Sequence, residues 1–229
     1  MEYMTNNHPD LGKHAPGHKL DYLPAAGHDA LLPGYDLLTR LLGMRRNYDA
    51  LISQADLADA HKVLEIGCGT GNVVIRVKNA HPRVDVVGVD PDPKALARAQ
   101  RKAQGLNGIR FERGYAQRLP FADGGFDRVL SSMMLHHLDD EAKAAAAAEA
   151  FRVLRPGGSL HIVDIGGPMT AADGFAARRM LGSAHAAGNL GDAIPRLMRG
   201  VGFDCDEVDT RRHRVMGRLT SYRATRPTG

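Results

Sequence analysis

Short apolar runs alternate with segments of helical periodicity between residues 63 and 165, and this alternation constrains the fold more than any other feature. The five runs that predict buried strands are residues 63–66, 84–89, 109–112, 126–131 and 159–165. The helical segments between them are residues 71–80, 92–104 and 139–154. Such an alternation predicts a parallel sheet with helices on both faces and right-handed crossover connections.

The C-terminal part of the chain departs from this pattern. A helix predicted over residues 192–200 precedes two predicted strands, residues 203–209 and 214–224, with only residues 210–213 between them. Because so short a connection cannot form a parallel crossover, the two strands are predicted to form an antiparallel hairpin. The whole sheet then has seven strands.

Composition and cysteine content limit the class of protein. The chain has 229 residues, of which 43% are hydrophobic and 24% charged, which is typical of one large or two small globular domains. Its two cysteines, Cys68 and Cys205, are far apart, which argues against a disulfide framework and a cysteine-based zinc site. No transmembrane run and no secretory signal is found, so we expect a cytoplasmic protein. No metal site is predicted.

The net charge is concentrated near the C-terminus. From residue 196 onward, eight arginines stand against four acidic residues, and this excess equals the formal net charge of +4 of the whole chain. A solvated basic face is the first interpretation, and a surface that meets an anionic lipid or a partner subunit is the alternative. A weak contact with an anionic membrane and a homodimer are therefore both open.

The first predicted strand runs directly into a glycine-rich loop, residues 65–71, with the sequence Glu-Ile-Gly-Cys-Gly-Thr-Gly. Glycines permit a tight turn and a close backbone approach to a ligand, so this loop indicates a cofactor site, with a simple turn as the alternative. Asn72 stands where the dinucleotide pattern needs its last glycine, which argues against NAD. Asp90 ends the second strand, where a carboxylate can accept from both ribose hydroxyls or cap the next helix.

Five segments, in order, resemble one known family. They are residues 63–71, 88–90, 119–127, 135–138 and 154–158. Together they resemble class I S-adenosylmethionine-dependent methyltransferases, in particular the ubiquinone/menaquinone-biosynthesis enzymes and related small-molecule methyltransferases, over about residues 30–225. The resemblance implies an α/β, Rossmann-like, doubly wound seven-stranded sheet, with S-adenosylmethionine as cofactor and S-adenosylhomocysteine as product.

The resemblance also implies how the cofactor is held. Gly67 and Gly69 line its methionine part, with Cys68 between them in the loop. Glu65 helps to orient the amino group of the cofactor. Asp90 holds the ribose, and the next residue, Pro91, packs near the adenine.

Tyr115 departs from the family pattern, because it stands where the family often has an aspartate that accepts a hydrogen bond from the adenine amine. That amine then needs another acceptor, either Gln117 or water, or it contacts the ring of Tyr115. Ala116 is expected to reach the adenine through its backbone N–H. The resemblance further implies that Ser131 to Met133 pass the methionine end and that Tyr35 bonds the cofactor carboxylate.

His136 is the candidate general base. It follows the fourth strand at the carboxyl edge of the sheet, where open α/β folds bind ligands. His137, Tyr22 and His28 are expected to border the acceptor, and the alternative is that the paired histidines simply pack at the start of the alanine-rich helix. A base is needed only when the acceptor must lose a proton, because the leaving group of the cofactor is already activated.

Residues 1–58 are predicted to form an N-terminal arm and a helical lid, with helices near 31–42 and 48–58. Residues 59–229 are predicted to form the cofactor-binding methyltransferase domain. Within that domain, a short insert at about residues 166–191 is expected to form one wall of the substrate pocket.

These features predict an enzyme that moves the methyl group of S-adenosylmethionine to a small-molecule or lipophilic acceptor by in-line displacement. A protein that binds S-adenosylmethionine or its product without catalysis is the alternative. A nucleic-acid methyltransferase is disfavoured, because the Asn-Pro-Pro-Tyr type of motif is absent after the fourth strand and no basic binding domain is added. Oxygen, nitrogen, carbon and sulfur acceptors all stay open.

Overall fold

A computed structural model describes residues 42–58, 61–174, 177–178, 181–182, 188–213 and 215–229. Tyr22, His28 and Tyr35 lie outside these residues, as do most of the predicted arm and nearly all of the helix predicted near residues 31–42. None of the helices in the described residues is long and apolar enough to cross a membrane.

Helices and strands alternate as the apolar pattern predicts. The helices are α1 Met44–Gln54, α2 Asn72–Ala80, α3 Pro93–Lys102, α4 Asp140–Val153 and α5 Ala193–Val201, with 3-10 turns at Leu135–His137 and Ala171–Asp173. The strands are β1 Lys62–Ile66, β2 Asp85–Asp90, β3 Ile109–Arg113, β4 Phe126–Ser132, β5 Leu154–Ile165, β6 Asp204–His213 and β7 Gly217–Thr225. Aspartates begin α3 and α4, because Asp92 and Asp139 each accept a backbone N–H from the first helical turn at 2.8 Å.

The strands form one seven-stranded sheet in the order β3-β2-β1-β4-β5-β7-β6. Strands β1 to β5 are parallel, and β7 runs antiparallel between β5 and β6. This topology confirms the predicted fold class and the terminal hairpin. The strand order reverses between β1 and β4, and a ligand crevice is expected at the carboxyl ends of the strands at such a point.

The sheet is covered on both faces. In β1, Leu64 belongs to a buried cluster that includes Ala146 of α4, whereas Val63 belongs to a second cluster with Leu51 of α1 and Val74 of α2. Successive side chains of a strand point to opposite faces. The near-continuous apolar character of β1 therefore reflects burial from both sides.

Three predicted boundaries were wrong. Residues 210–213 continue β6 instead of forming the turn, and His213 pairs with Gly217 across the hairpin. Strand β5 begins at Leu154 instead of residue 159, because the chain beyond β7 pairs with it: the N–H of Gly157 donates to the carbonyl of Arg226 at 2.9 Å. Helix α1 begins four residues earlier than residue 48 and ends at Gln54.

Candidate active site

The glycine-rich loop joins β1 to α2 with a left-handed backbone at Gly67, Gly69 and Gly71, where φ is +73°, +50° and +76°. The N–H of Gly67 donates to the carbonyl of Val89 at 2.9 Å, which ties the loop to the end of β2. A Cβ at Gly67 would lie 2.5 Å from Cγ of Met134. Glycine is therefore required there both by the backbone and by the close approach of a side chain.

Asp90, at the end of β2, braces this loop. Its Oδ2 accepts the N–H of Gly69 at 2.8 Å, and its Oδ1 accepts the N–H of Asp92 at 2.9 Å. The residue is only 8% exposed, and burial raises the pKa of its carboxyl while the two backbone hydrogen bonds oppose the shift. Since each carboxylate oxygen has a second acceptor direction, Asp90 can also accept from ligand hydroxyls.

Glu65 is buried beside it, with 2% exposure, and its Oε2 accepts the N–H of Val74 in the first turn of α2 at 3.1 Å. Burial holds the pKa of Glu65 well above its usual range, and the charge of Asp90 adds to this effect. Burial likewise raises the pKa of the Cys68 thiol in the loop, so Cys68 is a small apolar residue there rather than a reactive thiolate.

These groups line a cavity of about 210 Å³ at the carboxyl ends of β1, β2 and β4. Nine of the predicted cofactor residues line it: Glu65, Gly67, Cys68, Gly69, Asp90, Pro91, Tyr115, Ala116 and Met133. The predicted acceptor residue His137 lines it as well. The fold thus brings together segments that are up to about 70 residues apart in the sequence.

Ser131 has a different environment from the rest of this set. It is buried in β4 and borders a small apolar space, with Ile66 and Ala146, on the α4 side of the sheet. Its neighbour Ser132 lines the cavity instead. Contact between Ser131 and the cofactor stays a prediction.

His136 lies in the 3-10 turn after β4 and is held by a carboxylate of the neighbouring strand. Its Nδ1 is 2.6 Å from Oδ1 of Asp164, which is fully buried near the end of β5. The two oxygens of Asp164 also accept the N–H groups of Leu135 and Ile165, at 2.8 and 2.7 Å. The imidazole ring of His136 lies 4.0 Å, between centroids, from that of His137. His137 lines the cavity, whereas His136 is not among the lining residues and lies behind His137.

Comparison with known proteins identifies the family. A family model described as a methyltransferase domain matches residues 63–158. A ubiquinone/menaquinone biosynthesis C-methyltransferase from Desulfotalea psychrophila is 30% identical over 203 residues, which cover 76% of this chain and 80% of that relative. This chain belongs to the S-adenosylmethionine-dependent methyltransferases.

Two further comparisons agree with this family assignment. A demethylmenaquinone methyltransferase from Thermus thermophilus is 36% identical to this methyltransferase over 157 residues, which cover 65% of this chain and 68% of the relative. The solved structure of Haemonchus contortus phosphoethanolamine N-methyltransferase 2 with S-adenosyl-L-methionine superposes with a TM-score of 0.70 at 16% identity. The superposition covers 89% of this chain and 58% of the other, and it shows a shared fold.

Tyr115, Ala116 and Gln117 form one wall of the methyltransferase cavity. Tyr115 forms an isolated bridge with Arg118, whose N–H donates to the Tyr115 carbonyl at 3.1 Å. Ala116 is buried, and Gln117 lines the same wall with its neighbours. Gln117 is therefore within the cavity, as one of the predicted replacements for the usual aspartate requires.

Several residues of the site were not predicted. Those lining the cavity are Tyr48, Thr70, Asn72, Val73, Val89, Gly114, Met134, Leu138, Asp139 and Ala142. Thr70 and Asn72 simply continue the glycine loop, whereas Tyr48 and Ala142 carry no local signal. Asp164 had one signal, a carboxylate within residues 160–165, which are apolar apart from it and His161, because an acid is rarely buried without a partner.

The basic C-terminal segment of the methyltransferase uses several of its arginines internally. Arg226 donates to the carbonyl of Leu154 at 2.6 Å, and Nε of Arg218 donates to the carboxylate of Asp173 at 3.0 Å. Nε of Arg212 donates to the backbone carbonyl of Asp173 at 3.2 Å. Much of the positive charge of this segment thus stabilises the fold, which leaves less of it for an external anion.

Proposed function

We propose that this methyltransferase transfers the methyl group of S-adenosylmethionine to a small lipophilic acceptor that bears an ionisable hydroxyl group, such as a quinol ring. The observation that carries the proposal is the position of the His136–Asp164 pair beside the cofactor cavity, at one edge of the sheet. The names of the two relatives, which refer to demethylmenaquinone and to ubiquinone/menaquinone biosynthesis, support a quinol-like acceptor.

The residues present fit the cofactor. The glycine loop brings its backbone into the cavity wall, with Met134 packed closely against Gly67, and the same wall carries two buried carboxylates, Glu65 and Asp90. Asp90 would hold the ribose hydroxyls, and Glu65 would orient the amino group. Ala116 and Gln117 would bind the adenine. When bound, the cofactor supplies a methyl group on a sulfonium that is already activated for displacement.

Asp164 would determine which nitrogen of His136 acts as the base. An ionised carboxylate only accepts hydrogen bonds, so Nδ1 of His136 must carry the proton in the 2.6 Å contact. Nε2 then keeps a free lone pair and can take the hydroxyl proton of the acceptor. Loss of that proton makes the oxygen nucleophilic, and in a quinol it also raises the electron density of the ring carbons. The same base can therefore assist either O-methylation or C-methylation.

Methyl transfer is tested directly by incubating the full chain with methyl-labelled S-adenosylmethionine and a panel of acceptors: a demethylmenaquinol analogue, simple phenols, amines and lipid headgroups. We expect label in the quinol or phenol products. Label in amines alone would overturn the hydroxyl-bearing acceptor class. Tight binding of the cofactor with no transfer to any acceptor would favour the non-catalytic alternative.

The base is tested by His136→Ala, with His81→Ala as a control at the exposed end of α2. We expect turnover at saturating cofactor to fall about 100-fold or more for His136→Ala, because general-base contributions are of that size, and to stay unchanged in the control. Unchanged turnover of His136→Ala would exclude the base.

The remaining elements of the proposal concern parts of the chain and partners that need their own tests. We propose that residues 1–58 act as a lid, with Tyr35 on the cofactor carboxylate and Tyr22 and His28 beside the acceptor. A contact with a membrane, or with a second copy of the chain, would use the basic C-terminal face. Salt-sensitive binding to anionic vesicles tests the membrane contact, and sedimentation tests the dimer. We also propose a cytoplasmic location, which the two free cysteines, Cys68 and Cys205, support because thiols stay reduced there.

A further inference from the structure

Glu65 and Asp90 place two buried carboxylates at one end of the cofactor cavity. They lie at the ends of the adjacent parallel strands β1 and β2, and both line the cavity wall. The hydrogen bonds that the structure gives to them come from neutral backbone N–H groups, those of Val74, Gly69 and Asp92. A neutral donor stabilises a carboxylate but does not cancel its charge.

Little positive charge acts on this pair. The cation that influences Glu65 is Lys102 of α3, whose ammonium donates to Oδ1 of Asn72 at 2.7 Å and to Oγ1 of Thr70 at 3.4 Å. The other ionisable side chains of the cavity wall are Tyr48, Cys68, Tyr115, His137 and Asp139.

Burial makes this arrangement costly when both acids are ionised. A charged carboxylate removed from water needs a compensating cation, and a second carboxylate nearby increases the cost. In agreement with this, burial raises the pKa of both residues, and Glu65 is the more strongly affected because it is more deeply buried and lies beside Asp90. Burial and the charge of Asp90 therefore both shift Glu65 towards its protonated form.

We propose that Glu65 exchanges its proton for the ammonium group of the cofactor, so that binding releases about one proton per site. The inference rests on the proposed cofactor. The proton leaves the Glu65 carboxyl for solvent, and the ammonium group becomes the compensating charge. Asp90 keeps its two backbone hydrogen bonds and meets neutral ribose hydroxyls, so it contributes no comparable release. Cofactor affinity consequently rises with pH, by up to about tenfold per unit while Glu65 is protonated.

The exchange is measured by calorimetric titration of the full chain with S-adenosylhomocysteine at about pH 7, in buffers that differ in ionisation enthalpy. The dependence of the observed heat on that enthalpy gives the number of protons released. We expect about one proton for the natural chain, none for Glu65→Gln, and about one for the control Glu141→Gln in the exposed first turn of α4.

A second ligand separates this inference from the cofactor assignment. Methylthioadenosine carries the adenine and ribose but lacks the amino-acid part with its ammonium group, so we expect it to bind the natural chain and Glu65→Gln without proton release. Release that is absent with S-adenosylhomocysteine, or that persists in Glu65→Gln, would overturn the exchange while leaving the cofactor in place. If neither S-adenosylhomocysteine nor S-adenosylmethionine binds, the cofactor assignment itself fails.

If Glu65→Gln does not fold, the pH dependence of binding to the natural chain still tests the exchange. In that case the natural chain is titrated with S-adenosylhomocysteine from about pH 6 to pH 8. Affinity that rises with pH supports the exchange, and affinity that is constant over this range contradicts it. Methylthioadenosine, titrated in parallel, shows how much of any change comes from groups other than the amino-binding end.

Discussion

Nδ1 of His136 lies 2.6 Å from Oδ1 of Asp164, and this carboxylate is fixed from three sides because it also accepts the N–H groups of Leu135 and Ile165. The contact joins the turn after β4 to the end of β5, two segments that the parallel sheet places side by side. This geometry supports the proposed role of Asp164 as a positioning residue that holds the ring of His136 and keeps the proton on Nδ1.

Replacing Asp164 with Asn tests this role. The amide can donate to Nδ1, which reverses the tautomer and places the proton on Nε2, so we expect turnover at saturating cofactor to fall about 100-fold or more. The affinity for S-adenosylhomocysteine should change little, because Asp164 does not line the cavity. Nitrogen NMR of the imidazole reports the tautomer, which a purely structural role would not move.

Asp140→Asn is a suitable control for this substitution, since Asp140 is exposed in the first turn of α4. Turnover of the control should match the natural chain. If Asp164→Asn retains both its turnover and the Nδ1–H tautomer, Asp164 does not position His136.

Gly67→Ala should disturb the cofactor site and the fold together. The backbone at Gly67 has a φ of +73°, and the new Cβ would lie 2.5 and 2.9 Å from Cγ and Cβ of Met134. The left-handed backbone alone costs about 1–2 kcal/mol, and the overlap with Met134 adds to it. We expect a lower free energy of unfolding in urea and about tenfold or greater loss of affinity for S-adenosylhomocysteine.

Gly105→Ala isolates the backbone contribution, because Gly105 has a φ of +85° and its Cβ would meet no described atom within 4 Å. This control should lose stability but keep its cofactor affinity. Equal effects of the two substitutions on both quantities would mean that the contact with Met134 is unimportant.

His161 should make the protein less stable in mild acid. It is buried in β5 and neutral: Nδ1 accepts from the side-chain amide of Gln54 at 3.2 Å, and Nε2 lies 2.9 Å from Oγ of Ser159. Burial, with the positive charges of Arg128 and Arg223, lowers the pKa of His161 to about 3. In the unfolded chain, the pKa of a histidine is about 6.5.

Between these two pKa values the unfolded state binds the extra proton. The stability that neutral His161 permits is therefore complete above about pH 6.5 and is lost as the pH falls towards about 3, with a slope of up to about 1.4 kcal/mol per unit. We expect His161→Gln, measured by urea unfolding at several pH values, to have a shallower slope below about pH 6.5. Identical slopes in both proteins would show that His161 does not cause the acid sensitivity.

Arg152 clamps the loop that leads into β4. Its guanidinium donates to the carboxylates of Glu149 and Asp123 at 2.7 and 2.6 Å, and to the carbonyls of Phe121 and Leu119 at 2.8 and 3.1 Å. Arg152→Met removes these hydrogen bonds, and Glu149 keeps only the N–H of Leu119 as a donor, so we expect the free energy of unfolding to fall by about 2–3 kcal/mol.

The exposed pair of Arg196 with Asp192, at 3.2 Å, provides the control for Arg152. Arg196→Met should change the free energy of unfolding by less than about 0.5 kcal/mol, because solvent screens a surface ion pair. A loss for Arg152→Met as small as that would show that the clamp does not hold the loop.

The sheet was largely predictable because its central strands are buried on both faces, and such burial makes the sequence of β1 and β2 rich in apolar residues. The loop after β1 was also predictable, because its left-handed backbone at Gly67 and Gly69 favours glycine at those positions. Edge strand β6 was harder. It carries charges on its exposed positions, so its continuation through residues 210–213 shows no apolar pattern.

The residues of the site likewise fall into those that local sequence predicts and those that only the tertiary structure identifies. The conformations of the glycines and the positions of the two acids depend on neighbouring residues in the chain. The sequence alone therefore determined that Glu65, Gly67, Gly69 and Asp90 belong to one loop system. Only the tertiary structure decided that Asp164 holds His136, that Tyr48 and Ala142 reach the cavity wall, and that Arg226 turns inward. Those contacts depend on which strands and helices become neighbours, and a hydrogen bond or a shared wall between distant segments leaves no periodicity in either segment.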